Sequence, residues 1–477
     1  MTPQQRSGMT KVICTIGPAS EAEDVLIRLC EAGMDVARLN LSHSGAQEVR
    51  AIAARVRECA SRAGRPVAIL LDLQGPKIRV GDLGEPLALE PGMSVTLAPA
   101  EAATPGEIPV TYADLARDLS VGDRVLLKDG RIELRVRAIE IPRVQAEVVV
   151  GGIVESGKGI NLPGVRVGAP ALTEKDLGDL DLASELDVEY VALSFVRSAE
   201  NVRELRRRLP DDVLTMAKIE KGVAVAEFEA ILEASDTVMV ARGDLGTELP
   251  FEKVPLVQKR IVRAANSRHR PVVIATEMLE TMIERPRPTR AEVSDVANAI
   301  LDGTDAVMLS AETAVGRYPV ESVQALTRVI GEIESSSSLL SGGPACDSPP
   351  PSRGRGTVPT ELAVAQATLE AVRALDAPAV VTFTRSGFTA RVVSSRRPPV
   401  PILAVTDRAK VYRQLALCWG IVPILARGES TYEGMWERAA AELRERGIAA
   451  AGDRVVVTAG MPFHVRGTTN MVRIEVI

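Results

Sequence analysis

Short apolar runs alternate with helically spaced stretches along the first third of the chain. Lys11–Ile16, Met34–Leu39 and Pro66–Leu71 read as buried parallel strands. Helices are predicted between them, over Ala22–Ala32 and Glu48–Ala63, each stopped by a glycine. The pattern then changes. Residues 77–168 carry two-residue alternation, as in SVTLAP and RIELRVRAI, and Lys128-Asp129-Gly130-Arg131 joins two such runs as a hairpin signal. This stretch reads as a small antiparallel β domain inserted after the third strand. Strand-helix alternation resumes at Thr173, with strands expected at Val188–Ser194, Val213–Ala217, Thr237–Ala241, Val272–Ala275 and Ala306–Leu309. Val223–Ala234 has the spacing of one helix. Eight such units predict a closed (β/α)8 TIM barrel.

Residues 335–357 are rich in Ser, Pro and Gly and read as a linker or mobile loop. A second α/β alternation follows, with strands expected at Ala379–Thr384, Pro401–Val405, Ile421–Leu425, Arg454–Thr458 and Met471–Val476. The segmentation is therefore 1–76 and 169–334 for the barrel, 77–168 for the insert, 335–357 for the linker and 358–477 for an open-sheet α/β domain.

Composition narrows the function classes. The apolar fraction of 46% and charged fraction of 25% are those of a soluble globular protein. A net charge of −6, with only six Phe, five Tyr and two Trp, argues against a nucleic-acid partner. The arginine-rich run 203–208 reads as a solvated helix face. Five scattered cysteines without a CxxC pair suggest reduced thiols in a cytoplasmic protein. No signal peptide or membrane span is expected.

Chemistry concentrates where strands end. Asn40, Asp72, Lys218, Glu220, Asp244, Thr276 and Glu312 all fall at C-terminal strand ends, the rim where such barrels carry their active sites. Glu220 and Asp244 follow neighbouring strands and so meet in space. Two hard oxygen ligands beside the Lys218 ammonium suit Mg²⁺ (or Mn²⁺) carrying a phosphate. The plainer alternative is a set of ion pairs, Lys218 with Glu220 and Arg38 with Asp72.

Ten stretches carry a family resemblance: KVICTIGPAS, GMDVARLNLSH, LDLQGPKIR, GINLPG, LTEKD, LSFVRS, AKIEKG, MVARGDLG, PRPTRAEVSDVANAILDG and MLSAETAVGRYP. The chain resembles the pyruvate kinases from Lys11 to its end. The resemblance implies a TIM barrel, an inserted small β-barrel lid domain and a C-terminal open-sheet α/β domain. It implies phosphoryl transfer from phosphoenolpyruvate to ADP, giving pyruvate and ATP. By resemblance Glu220 and Asp244 hold the divalent ion, Lys218 sits beside the moving phosphoryl group, and Arg38 contacts that group through its guanidinium fork. Asn40, Ser42, His43, Arg79 and Lys175 would line the nucleotide and cation side. Thr276 would lie near the enolate carbon and position a water relay, since a hydroxyl is a weak acid, with Ser310 and Glu312 as support. The backbone at Arg242 and Gly243 would take the substrate carboxylate. Thr384, Arg385, Ser386, Gly387 and Thr389 would bind a phosphorylated effector, a sugar phosphate or AMP, with the Ala459–Thr469 loop nearby and a homotetramer as carrier of the coupling.

The sequence departs from the commonest family wording at Glu277, Ala311 and 72–77. Many members hold K⁺ through a stretch reading Asp-Thr-Lys-Gly-Pro-Glu; here it reads Asp72-Leu73-Gln74-Gly75-Pro76-Lys77. Leu73 lacks a ligand oxygen, and the Lys77 ammonium can occupy the space of a bound cation. These changes match the family's potassium-independent branch, so K⁺ is expected not to be required. Two other classes share some features. A Mg²⁺-dependent pyruvate-enolate lyase would need Glu220 and Asp244 but neither the insert nor Lys218. A non-catalytic metabolite sensor would tolerate loss of Lys218, Glu220, Asp244 or Thr276, and all four are present.

Overall fold

The computed structural model describes residues 8–42, 44–336, 358–429, 431–461 and 469–477. Eight parallel strands close into a barrel: β1 (Lys11–Ile16), β2 (Val36–Asn40), β3 (Ala68–Asp72), β4 (Tyr190–Leu193), β5 (Leu214–Ile219), β6 (Thr237–Ala241), β7 (Val272–Ala275) and β8 (Ala306–Leu309), with β8 pairing back onto β1. Successive side chains on a strand point to opposite faces. One set, including Ile13, Val36, Leu70, Tyr190, Met216, Met239, Val273 and Met308, fills the barrel interior. The other set, including Val12, Ala37, Ile69, Val191, Ala217, Val238, Ile274 and Val307, packs outward under the helices.

The insert has its own hydrophobic core, drawn from Ile78 to Leu162. Its main sheet runs Ile160–Asn161, Arg124–Leu127, Ile132–Glu140, Arg143–Val150, Ser94–Pro99, Ile108–Val110, antiparallel except for the last pair. The expected hairpin is present: Leu127 pairs with Ile132, and Lys128, Asp129 and Gly130 turn the chain at φ 53, 55 and 83°. Beyond the barrel, β9 (Val380–Phe383), β10 (Ile402–Thr406), β11 (Ile421–Leu425), β12 (Arg454–Ala459) and β13 (Met471–Val476) form an open sheet in the order β11-β10-β9-β12-β13, antiparallel only at β13.

This last domain docks on the N-terminal end of the barrel. Leu417 completes the interior cluster from below. The Tyr190 hydroxyl donates to the Gln414 carbonyl at 2.7 Å, and Lys11 Nζ donates to the Ile421 carbonyl at 2.7 Å. Arg397 places both guanidinium nitrogens on the Asp305 carboxylate, at 3.0 and 3.2 Å, and stacks on Trp419 at 4.8 Å. Since Asp305 also accepts the Val272 amide at 3.0 Å, this contact ties the bases of β7 and β8 to the C-terminal domain.

Three sequence expectations need correction. The helix expected over Val223–Ala234 is two, Gly222–Ala226 and Phe228–Ala234, because Arg260 takes the Val225 carbonyl at 2.7 Å in place of a helical N–H. Arg206 is not on a solvated face: it lies partly buried, bonded to Asp236, the Val213 carbonyl and the Thr215 hydroxyl. Finally, β5 runs through Lys218 to Ile219, since its main-chain ladder with β6 continues to Ile219–Val240 whatever the side chain carries. The expected linker falls on 335–357, of which 337–357 lie outside the described residues. Cys14, Cys30, Cys59 and Cys418 are buried and none is in a disulfide among the described residues; Cys346 is not among them.

The docking interface carries a pH dependence. His269 Nδ1 lies 2.6 Å from Ser395 Oγ, and burial, with Arg396 and Arg270 nearby, pulls its pKa down from 6.5 to about 4. The unfolded chain therefore binds this proton before the folded one does. The contribution is fully present above pH 6.5 and is lost as pH falls from 6.5 towards 4. The loss is at most about 3 kcal/mol. Thermal unfolding of His269→Asn should show a smaller decline than the parent between about pH 7 and 5. Parallel curves would refute the assignment.

Candidate active site

The inward-facing positions change from apolar to polar at the top of the barrel. Along β3 the inward series is Ala68, Leu70, Asp72; along β4 and the residue after it, Tyr190, Ala192, Ser194; along β5, Leu214, Met216, Lys218. Arg38 follows Val36 on β2 in the same way. An inward residue near the top of each of four adjacent strands thus converges on one cluster. Lys218 Nζ lies 2.8 Å from Ser194 Oγ, 2.9 Å from Glu220 Oε1 and 3.3 Å from Asp72 Oδ1. Arg38 Nε donates to Asp72 Oδ2 at 2.7 Å and its Nη1 to Thr15 Oγ1 at 2.9 Å. Both ion pairs weighed from the sequence exist. Ser194, Thr15 and the Phe195 amide, which donates to Glu220 Oε2 at 2.6 Å, were missed. The end of LSFVRS was the available signal for Ser194.

These charges are buried, so each depends on its partners. Burial alone would raise the Asp72 pKa, but Lys218 and Arg38 outweigh it and hold the carboxyl below its usual range. Burial alone would lower that of Lys218; Asp72 and Glu220 reverse the sign, and the ammonium is held above its ordinary value. Glu220 is raised by burial, and by the negative charge of Asp244, against the pull of Lys218. A divalent ion at Glu220 would remove that penalty. No cluster of three or more His, Cys, Asp or Glu suited to a metal occurs among the described residues. Glu220 and Asp244 nevertheless fit Mg²⁺, which keeps several waters and takes its other oxygens from a phosphorylated substrate.

Beside this layer, Thr276 Oγ1 accepts the Gly243 amide at 2.8 Å and donates to the Ala275 carbonyl at 2.6 Å. Thr276 and Glu277 have φ of 69 and 54°, a left-handed pair that costs about 1–2 kcal/mol per residue. Arg242 Nη2 donates to the carbonyls of Thr276 at 2.8 Å and Glu277 at 3.1 Å. Glu312 accepts the Ser310 amide at 2.7 Å and the Leu279 amide at 3.1 Å, so it shapes the turn that carries Ser310. Ser310 Oγ is buried and has no hydrogen-bond partner among the described residues.

Other candidates lie farther out. Asn40 Oδ1 accepts the Ser42 amide at 3.1 Å, and Lys175 donates to the Leu41 carbonyl at 2.8 Å and to Asp179, so both hold the loop after β2. His43, the next residue in that loop, lies outside the described residues. Arg79 belongs to the insert and donates to the Gly157 carbonyl at 2.9 Å. Leu73 faces outward, 1% exposed, in the helix-side core. Lys77 points at the insert: a Cβ on Gly159 would meet its Cε at 3.4 Å, and its ammonium has no ion pair among the described residues. At the far end of the molecule Gly387 turns at φ 77°, Arg385 lies 3.9 Å from Asp407, and the Thr389 and Thr469 hydroxyls are 2.8 Å apart. Residues 462–468 of the neighbouring loop are not among those described.

Fold and site define a barrel enzyme built to handle a phosphorylated anion: two cations and two carboxylates in a closed interior, with a third carboxylate beside them. The comparisons give the family. The model for pyruvate kinase, barrel domain, matches residues 7–323, and that for pyruvate kinase, alpha/beta domain, matches 362–475. A pyruvate kinase of Mycobacterium intracellulare is 44% identical over 98% of both chains. One of Geobacillus stearothermophilus is 43% identical over 98% of this chain and 80% of its own. The crystal structure of a pyruvate kinase from Cryptosporidium parvum superposes with a TM-score of 0.90 at 32% identity, covering 98% of this chain and 96% of that one. The chain belongs to the pyruvate kinase family, enzymes that transfer the phosphoryl group between phosphoenolpyruvate and ADP.

Proposed function

We propose that the transfer takes place against Lys218, on the layer formed by Arg38, Asp72, Ser194 and Glu220. The observation that carries this reading is the position of the Lys218 ammonium, buried and bridged to Ser194, Glu220 and Asp72. Glu220 and Asp244 would hold the divalent ion, which would supply positive charge towards a phosphorylated anion. Arg38, anchored by Asp72 and Thr15, presents the remainder of its fork to the phosphoryl oxygens. Lys218 stays charged and meets the group in transit. Gly243 and Thr276 hold the carboxylate end. The Thr276 proton is committed to the Ala275 carbonyl, which favours a role in orienting water over that of an acid. Asn40, His43, Arg79 and Lys175 take the nucleotide. The lyase and sensor alternatives explain neither the family match nor this set of groups.

The surroundings of Lys77 extend the reading. Leu73 is committed to the core and offers no side-chain oxygen to a monovalent ion. Lys77 supplies a fixed charge in its place. The end of its stem lies beside Gly159 of the insert here, so that role belongs to a state in which the insert has moved. For the C-terminal domain we assign Thr384, Arg385, Ser386, Gly387 and Thr389 to a phosphorylated effector, a sugar phosphate or AMP. A homotetramer would couple it to the barrel. Phe251 and Leu256, 84% and 70% exposed, are apolar anchors available for self-association. No helix among the described residues is long and apolar enough to cross a membrane.

Lys218→Ala should lower kcat by roughly 10²–10³ or more. Glu220→Ala and Asp244→Ala should also raise the Mg²⁺ concentration needed for half-maximal rate. Initial rates with and without ADP read both effects. A Lys218→Ala enzyme with most of its activity would place the transfer elsewhere.

Replacing K⁺ by Na⁺ or a bulky organic cation at matched ionic strength should leave the rate nearly unchanged. Stimulation by K⁺ above about tenfold would mean more than ~1.4 kcal/mol of transition-state stabilisation still comes from the ion, and Lys77 would lose its role.

AMP or a sugar phosphate should shift the half-saturating phosphoenolpyruvate concentration, and Arg385→Ala should weaken that response while leaving the rate without effector unchanged. No shift with either ligand would remove the effector assignment. Sedimentation velocity that found only monomer would remove the tetramer.

A further inference from the structure

We infer that Arg242 is a positioning residue for the reaction: it holds the strained turn that places the Thr276 hydroxyl. The inference rests on the role proposed above for Thr276. β7 ends at Ala275, and the next two residues both lie in the left-handed region, at φ 69° for Thr276 and 54° for Glu277. Neither is a glycine, and a β-branched residue at positive φ is a genuine outlier. Something must hold the turn in this form. The Arg242 guanidinium is the group that does so.

Arg242 begins the short helix after β6, the strand next to β7, and its side chain is 10% exposed. Nη2 donates to the Thr276 carbonyl at 2.8 Å and the Glu277 carbonyl at 3.1 Å, and lies 2.9 Å from Met278 Sδ. Nη1 is fixed by Asp295, at 2.6 Å from Oδ2 and 2.8 Å from Oδ1, on the helix Arg290–Leu301. Two consecutive carbonyls converge on one cation, and the turn that aims them is the left-handed one. The main chain after Arg242 meets the same turn from the other side, through the Gly243 amide on Thr276 Oγ1. Side chain and main chain of one stretch thus grip Thr276 at both its carbonyl and its hydroxyl. Without the guanidinium both residues can relax to negative φ, and the hydroxyl moves with its backbone. A displacement of about 1 Å at a reacting geometry can cost roughly 100-fold in rate.

The test uses the full-length enzyme. Arg242→Gln should lower kcat by about 100-fold and slow deuterium uptake into the methyl group of pyruvate in D₂O to a similar degree. The KM for ADP should stay within about twofold, because the nucleotide side is not touched. Arg242→Lys, which keeps the charge and loses the fork, should fall between. The distinguishing variant is Glu277→Gly. Glycine adopts φ 54° without strain, so Glu277→Gly in the Arg242→Gln background should recover about fivefold or more of the lost kcat. Arg242→Gln within about threefold of the parent kcat would overturn the inference. So would a loss that Glu277→Gly fails to relieve, or one shared equally by the KM for ADP, since either marks general damage to the fold. If Arg242→Gln does not fold, Arg242→Lys with and without Glu277→Gly gives the same comparison. Thr276→Val separates the two layers of the argument. Full activity there removes the reading of Thr276 and this inference with it. Loss there, with Arg242→Gln fully active, removes the role of Arg242 alone.

Discussion

A closed barrel gives an inward-facing side chain no solvent to escape into, and this constraint governs the active site. Any charge on that face must find a partner on a neighbouring strand or remain buried and unpaired, which costs several kcal/mol per ion. Asp72, Lys218, Arg38 and Glu220 meet the requirement together: each cation lies against Asp72, and Glu220 closes the set from above Lys218. The cluster is balanced until Asp244 is counted. Burial, with the negative charge of Asp244 added to it, raises the Glu220 pKa, and a divalent cation would offset both. With such an ion present the layer turns net positive, the condition for receiving a phosphorylated acid. The ion pairs are the means by which these charges can exist in the interior at all.

The two ends of the barrel have different duties. At the base the polar contacts are structural: Asp305, Arg397, Lys11 and Tyr190 fasten the C-terminal domain, and Leu417 seals the interior. At the rim the backbone is strained, at Phe195, Thr276 and Glu277, all with positive φ. Two of the three touch the candidate site residues, Phe195 through its amide on Glu220 and Thr276 through its hydroxyl, which accepts the Gly243 amide. A well-packed floor lets the rim hold conformations that would not persist alone. Because Asp305 binds the start of β7 while also opening β8, the C-terminal domain is attached to the two strands whose far ends carry Thr276 and Ser310.

The amino-acid sequence by itself determined the eight barrel strands, the insert after the third and the α/β domain after the eighth. Hydrophobic period and turn residues are local signals, and these elements obey them. It also marked Lys218, Glu220 and Asp72, because charges that close apolar strands stand out against their neighbours; Arg38 was marked only by the family resemblance. Tertiary structure alone decided which of these groups touch. Ser194 joins Lys218 to Asp72 only because β4 lies between β3 and β5 in the closed ring. Leu73 packs outward and Lys77 faces Gly159, directions that follow from register and from the path into the insert. The break before Phe228 came from Arg260, 35 residues away in sequence. Arg242 matched a motif but showed its contacts only when β6 and β7 were side by side. Local periodicity specifies elements; pairing between strands distant in sequence specifies contacts, and a linear pattern does not encode that pairing.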